Sequence, residues 1–329
     1  MLTTPRRRFA GSRTLTASLA LAATVALGGS PLANAQSTTQ ADGAIAVSSL
    51  GSTTDAPGSM TGSLGSLATP AYAEYVALGD SYAAFGDQSI IQTGAAAATC
   101  MRSMTNYPTW LATNPSIGAV TDVSCGGAVT EDISSAQAQN VPPQVDALSS
   151  DTDLITLSIG GNDVGFGTIV GCITRQGPFS DLPGTSTCES QIGDMVDADI
   201  AEVFGVDGPV DDVYDTIAGA APDATVIATQ YLPLMPAEGT SCEFTDGLNP
   251  ADVAWARGVA EAINDAVDVA ADRNGHISVL PTDSVDRSAC AAPEVRWTDF
   301  RGGLPTMAAP FHPTKLGQQA MAQAIAAAI

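Results

Sequence analysis

Tyr75-Val76-Ala77-Leu78, running into Gly79-Asp80-Ser81, is the stretch on which the fold turns: four apolar residues without alternation, then a glycine and two small polar residues. A short continuous apolar run closed by turn-forming residues is the pattern of a strand buried on both faces that ends in a loop. The pattern recurs. Leu154-Ile155-Thr156-Leu157-Ser158-Ile159 is closed by Gly160-Gly161-Asn162-Asp163; Thr225–Thr229 and residues 277–280 repeat it, and residues 120–123 form a weaker fifth candidate. Between these runs lie helical patterns. Over residues 251–272, Val253, Ala256, Ala260, Ile263, Val267 and Ala270 recur at spacings of three and four, and Leu316, Ala320, Met321 and Ile325 do so over residues 314–328. Strands alternating with helices predict a parallel sheet of about five strands covered on both faces, a three-layer α/β/α, flavodoxin-like domain with right-handed crossovers.

The chain before that domain reads differently. Arg6, Arg7, Arg8 and Arg13 precede an almost wholly apolar run that ends near Leu27, and Ala33-Asn34-Ala35 follows. This is the basic, apolar and small-residue order of a secretory signal peptide, residues 1–35, with a mature start at Gln36. Arg6-Arg7-Arg8-Phe9 also fits a twin-arginine signal, but that route carries folded proteins, and six cysteines favour folding outside the reducing cytosol. Residues 36–70 are Ser, Thr, Gly and Ala with few large apolar side chains, the composition of a flexible leader. The catalytic domain is expected at 71–329. No apolar stretch reaches the roughly 20 residues that span a bilayer, so the mature chain is expected to hold no integral membrane segment. Loss of the signal peptide removes four of twelve basic residues and none of the 35 acidic ones. So acidic a surface repels nucleic acid and excludes it as a partner.

In a parallel α/β sheet, ligands bind outside the carboxyl ends of the strands. Ser81 and Asn162 both follow predicted strands and belong at that edge. The chain has two histidines. His276 directly precedes the last predicted strand, at the opposite edge, and reads as a surface turn residue. His312 follows a loop rich in Pro and Gly and precedes the final helix, so it can reach the crevice. A serine hydroxyl becomes a competent nucleophile when an imidazole accepts its proton, and acyl transfer needs donors aimed at the developing oxyanion. Asn162 offers a side-chain donor, and Gly126-Gly127 a main-chain one.

Each signal alone is weak, since Gly-Asp-Ser is also an ordinary helix-capping turn. Their order is more informative: EYVALGDSYAAF from Glu74, SCGGAVTED from Ser124, LSIGGNDVGF from Leu157 and PFHPTKLG from Pro310. This series resembles the SGNH/GDSL hydrolase family over residues 72–329, and in particular its secreted bacterial esterases and lipases. The resemblance implies Ser81 as nucleophile, His312 as base, and an oxyanion hole formed by the Ser81 amide, the Gly127 amide and Asn162, with no cofactor and no metal. One position departs from the family. The Asp often found three residues before the histidine is Ala309 here, and the nearest upstream carboxylate is Asp299. Related secreted enzymes orient the imidazole with a main-chain carbonyl, expected here near Ala309 or Pro310. The Gly-X-Ser-X-Gly elbow of α/β-hydrolases is absent around Ser81.

Cys100, Cys125, Cys172, Cys188, Cys242 and Cys290 make an even count without a Cys-X-X-Cys pair, which predicts disulfides; fifteen pairings are open from the residues alone. The resemblance implies sequential pairing. The expected protein is an extracellular serine esterase or lipase, free or held at the cell envelope, acting on a small-molecule or lipid ester. Phe85, Phe166, Ile169, Phe179 and Met307 are candidate walls of an acyl pocket. A carbohydrate esterase or deacetylase, and a catalytically silent binding protein on the same fold, are the alternatives.

Overall fold

A computed structural model describes residues 70–329; the predicted signal peptide, and the predicted leader up to residue 69, lie outside the described residues. Five strands form one parallel sheet: β1 (Tyr72–Gly79), β2 (Ile117–Asp122), β3 (Leu154–Ser158), β4 (Thr225–Thr229) and β5 (Ile277–Val279). Their order across the sheet is β2-β1-β3-β4-β5, the flavodoxin-like arrangement expected from the sequence. The weak strand candidate is present but begins three residues earlier than residue 120. As an edge strand only Ile117 is buried, so its sequence carries little apolar signal.

Alternate side chains of the strands feed two separate cores. Tyr75 and Ala77 of β1, Leu154 of β3 and Ile227 of β4 pack with Tyr107 and Leu111 of α2 (Tyr107–Leu111) and Met321 and Ile325 of α6 (Lys315–Ala328). Val76, Leu78, Ile155, Leu157, Val226 and Ala228 point the other way. They meet Ile169 and Ile173 of α3 (Phe166–Ile173), Val213 and Ile217 of α4 (Pro209–Ala220), and Val259 and Val267 of α5 (Pro250–Arg273). The central strands β3 and β4 are therefore buried at almost every position, because both faces are covered. No helix among the described residues is long and apolar enough to cross a membrane.

At the carboxyl end of β1, the chain runs from Gly79 through Asp80 into α1 (Ser81–Ala84), a single turn capped by the Asp80 carboxylate accepting the Tyr82 amide. Gly79 is required there. Its φ is +130°, and a Cβ would sit 2.7 Å from the Ser158 nitrogen and closer still to its carbonyl oxygen. A second, antiparallel ribbon, β6 (Thr298–Asp299) with β7 (His312–Pro313), is too short to read from sequence, yet it carries His312.

Three disulfides pair the cysteines sequentially: Cys100–Cys125, Cys172–Cys188 and Cys242–Cys290. The first is reinforced by main-chain bonds, with Gly126 donating to the Cys100 carbonyl at 3.1 Å and Cys125 to the Gly79 carbonyl at 2.9 Å. The bridges close sequence separations of 25, 16 and 48 residues. Chain entropy then predicts losses of about 3.5, 3 and 4 kcal/mol when each is replaced by paired serines. Urea unfolding of the three double variants should rank Cys242–Cys290 as the most costly loss and Cys172–Cys188 as the least; a bridge removed at no cost would contradict its structural role.

Candidate active site

The Ser81 hydroxyl and the His312 imidazole, 231 residues apart in sequence, meet at 2.8 Å between Oγ and Nε2. The other ring nitrogen, Nδ1, lies 2.6 Å from the Pro310 carbonyl. A carbonyl oxygen only accepts, so in the neutral ring Nδ1 carries the hydrogen and Nε2 accepts from the serine. Burial among Tyr82, Phe85 and Phe166, whose ring centroids lie 5.6, 4.8 and 5.7 Å away, pulls the imidazole down from its ordinary range to about 4, against the opposing effect of the Pro310 carbonyl. Asp299 is close along the β6–β7 ribbon but faces elsewhere. Its carboxylate accepts from the amides of Arg301 and Gly302 and, at 2.6 Å, from the Thr306 hydroxyl.

The backbone around His312 is held in an unfavourable conformation. Phe311 has φ of +63°, a region that bulky side chains rarely enter. Its amide donates to the Asp299 carbonyl at 2.6 Å, and its carbonyl accepts the Tyr82 hydroxyl at 3.1 Å. Its ring packs edge-on against Phe244 and Phe300. These contacts outweigh the strain and aim the imidazole at Ser81. His276 is remote, at the amino end of β5, and it is half-buried against Tyr214 with centroids 4.6 Å apart, more enclosed than a surface turn residue.

The candidate oxyanion donors come from three loops. Asn162 gives one amide hydrogen to the Ala128 carbonyl at 2.9 Å, leaving the other available. Gly127, with φ of +78°, sits in the turn that Gln137 holds through the Gly126 carbonyl at 2.9 Å. Neither the Ser81 nor the Gly127 amide donates to any acceptor among the described residues. Asp163, beside Asn162, accepts from the amide and hydroxyl of Thr130 and ties the second loop to the third. Gln144, which sequence reading does not single out, clamps Gly79 from both sides, accepting its amide at 2.6 Å and donating to its carbonyl at 2.9 Å.

Asp80 is fully buried beside Ser81. Burial pushes its carboxyl up to about 6, while hydrogen bonds from Tyr231, the Tyr82 amide and Ser158 favour the charged form. Tyr231 is the second site residue that sequence reading misses. Its signal is positional, since it follows β4 as closely as Ser81 follows β1.

A cavity of about 80 Å³ opens beside Ser81 between α3 and α5, walled by Phe166, Ile169, Ile173, Val259, Ala260 and Ile263. Of the five residues predicted to line an acyl pocket, Phe166 and Ile169 do so. Phe85 is instead buried against His312 and Gly126. Phe179 packs beside Gly171, and Met307 turns away on another loop, its carbonyl accepting from Gln88.

The GDSL-like Lipase/Acylhydrolase family matches residues 77–320. Lipase 2 of Streptomyces coelicolor is 37% identical over 265 residues, 78% of this chain and 85% of that protein. The extracellular lipase of Streptomyces rimosus superposes with a TM-score of 0.63 at 28% identity, covering 78% of this chain and 100% of the other. Phospholipase A1 of Streptomyces albidoflavus NA297 follows at 0.56 and 25%, covering 78% and 99%. The chain belongs to the GDSL-like lipase/acylhydrolase family and is an esterase/lipase of that family.

Proposed function

We propose that the protein is an exported serine hydrolase that cleaves lipid or fatty acyl esters through a Ser81 acyl-enzyme. The observation that carries this reading is the Ser81–His312 contact with Nδ1 satisfied by the Pro310 carbonyl. His312 Nε2 takes the hydroxyl proton as Oγ attacks the ester carbonyl carbon, and the carbonyl oxygen becomes an oxyanion. The amides of Ser81 and Gly127 and the free hydrogen of Asn162 are suited to receive that charge. Collapse expels the alcohol, which takes the proton from His312. Water then gives a proton to Nε2, attacks the acyl carbon and releases the acid, and the proton returns to Oγ. The imidazolium formed in each half-reaction is stabilised at Nδ1 by a neutral carbonyl instead of a carboxylate.

The preference for apolar acyl chains is supported by the wall between α3 and α5, whose side chains beyond the reacting residues are almost all hydrocarbon. Export is supported by the three disulfides, which persist in oxidising compartments, and by the similarity to an extracellular lipase. The predicted signal peptide agrees with it.

Turnover of p-nitrophenyl esters from acetate to palmitate, by wild type and Ser81→Ala in parallel, tests the reading. Activity should fall at least about a thousandfold in the variant. Wild-type inactivity on every chain length would point to an acylated carbohydrate substrate or to a silent binding protein. Ala260→Phe should fill the cavity and lower kcat/KM for decanoate about tenfold while leaving acetate within about twofold; equal losses on both esters would remove the cavity from substrate recognition.

Because His312 is held near 4 rather than at the ordinary 6.5, its ring is neutral and able to accept a proton across most of the acid range. The acid limb of kcat/KM that His312 sets, which reports the free enzyme, is expected below about pH 5 and is read in Asp80→Asn, where the carboxyl held near 6 is absent. A limb centred near 6.5 that survives Asp80→Asn would contradict that expectation.

A further inference from the structure

Asp80 and Gly161 lie at the ends of different strands, and one phenol joins them. The Tyr231 hydroxyl donates to Asp80 Oδ2 at 2.7 Å and accepts the Gly161 amide at 2.8 Å. Chemistry fixes these roles, because the amide can only donate and the phenol must therefore give its own hydrogen to the carboxylate. The other carboxylate oxygen accepts the Tyr82 amide at 2.9 Å and the Ser158 hydroxyl at 3.0 Å. The fit at Gly161 is close: a Cβ there would lie 2.8 Å from the phenol oxygen. Tyr231 is itself clamped from α5, with Asn264 accepting its amide at 2.7 Å and donating to its carbonyl at 2.9 Å. Its ring stands edge-on to Tyr82 at 5.0 Å.

We infer that Tyr231 is a positioning residue for ester hydrolysis: its hydroxyl links Asp80, next to Ser81, to Gly161, next to Asn162, so that two arms of the oxyanion hole are held as one unit. The inference rests on the proposed roles of Ser81 and Asn162. Donors stabilise a developing oxyanion to the degree that they already stand where its charge will appear, so a small displacement of the Asn162 loop is felt in the chemical step. At neutral pH Asp80 is charged, which makes the phenol bond a charge-assisted one. Tyr231→Phe keeps the ring, and with it the cavity wall and the contact with Tyr82. It deletes only the link, leaving the Gly161 amide without its acceptor and Asp80 without one donor.

The test is the steady-state kinetics of Tyr231→Phe, Asp80→Asn and the double variant on a soluble short-chain ester, with Ser81→Ala as reference and thermal midpoints for all. The kcat of Tyr231→Phe should fall about tenfold to a hundredfold, with KM within about twofold, a loss smaller than that of deleting an oxyanion donor outright. The double variant should fall no more than about threefold below the weaker single one, since both changes break one chain. An unchanged kcat alongside a dead Ser81→Ala overturns the inference. So does a loss confined to KM or to long acyl chains, which would make Tyr231 a pocket wall only. Turnover that survives Ser81→Ala overturns the nucleophile assignment, and this inference with it. Should Tyr231→Phe fail to fold, Asp80→Asn, whose side chain still caps α1, carries the measurement, and an unchanged kcat there is equally decisive.

Discussion

The close pairing of β1 with β3 is the constraint on which the site depends. Gly79 lies against Ser158 with no room for a side chain, and the Asp80 amide donates to the Ser158 carbonyl at 2.7 Å. Because the strands are parallel, both end at one edge of the sheet. The next strand after β1 is β2 on one side, while β3 lies on the other, so the loops leaving β1 and β3 part there and open a crevice between them. Ser81 and Asn162 enter that crevice from its two walls. The loop after β2 arrives with Cys125 bound to the Gly79 carbonyl, which brings Gly127 to the same edge. Replacing Gly79 with any other residue would push β1 and β3 apart and disturb all three loops at once.

His312 comes from outside the sheet, on a two-stranded ribbon, and its aim depends on main-chain geometry. The Pro310 carbonyl fixes the ring through Nδ1 without adding charge to an apolar surround. A carboxylate in that place would raise the affinity of the imidazole for a proton strongly; the carbonyl raises it less, so burial prevails and the affinity stays low. The ring is therefore a weaker base but remains unprotonated over a wider acid range. The strained Phe311, locked by Asp299, Tyr82 and two phenylalanines, supplies the rigidity that an ion pair supplies elsewhere.

The residues legible in the sequence are those whose position along the chain is itself the signal. β1, β3 and β4 show as short, mainly apolar runs because both faces of the sheet are covered. Ser81 and Asn162 stand out as candidates because they follow such runs, and His312 because the other histidine precedes one. β2, half solvated at the edge, begins three residues before its apolar signal for the same reason in reverse. What stayed hidden depends on contacts distant in sequence. Tyr231 meets Asp80 across 151 residues, and Gln144 meets Gly79 across 65. Nor does composition tell which phenylalanine lines a cavity: Phe166 and Phe85 are alike in sequence, but one stands on α3 facing the cavity and the other on the turn under His312. A positive φ at an aromatic residue, as at Phe311, is the opposite of what local preference suggests.

The two perturbed groups of the site act on stability with opposite sign. Asp80 binds its proton more tightly folded, at about 6, than in the unfolded chain near 3.8, so its contribution to stability falls as pH rises through that window. His312 binds its proton less tightly folded, near 4 against 6.5, so between those values the unfolded chain takes up more protons and stability rises with pH. The windows overlap and their slopes largely cancel in weak acid. Of these two groups, only Asp80 still weighs on stability above the ordinary histidine range, as a buried charge held against the cost of its desolvation. A fold seeking stability alone would replace that carboxylate with an uncharged cap for α1. Its presence is accounted for by what the charge holds in place: the Tyr231 hydroxyl and, through it, the loop that carries Asn162.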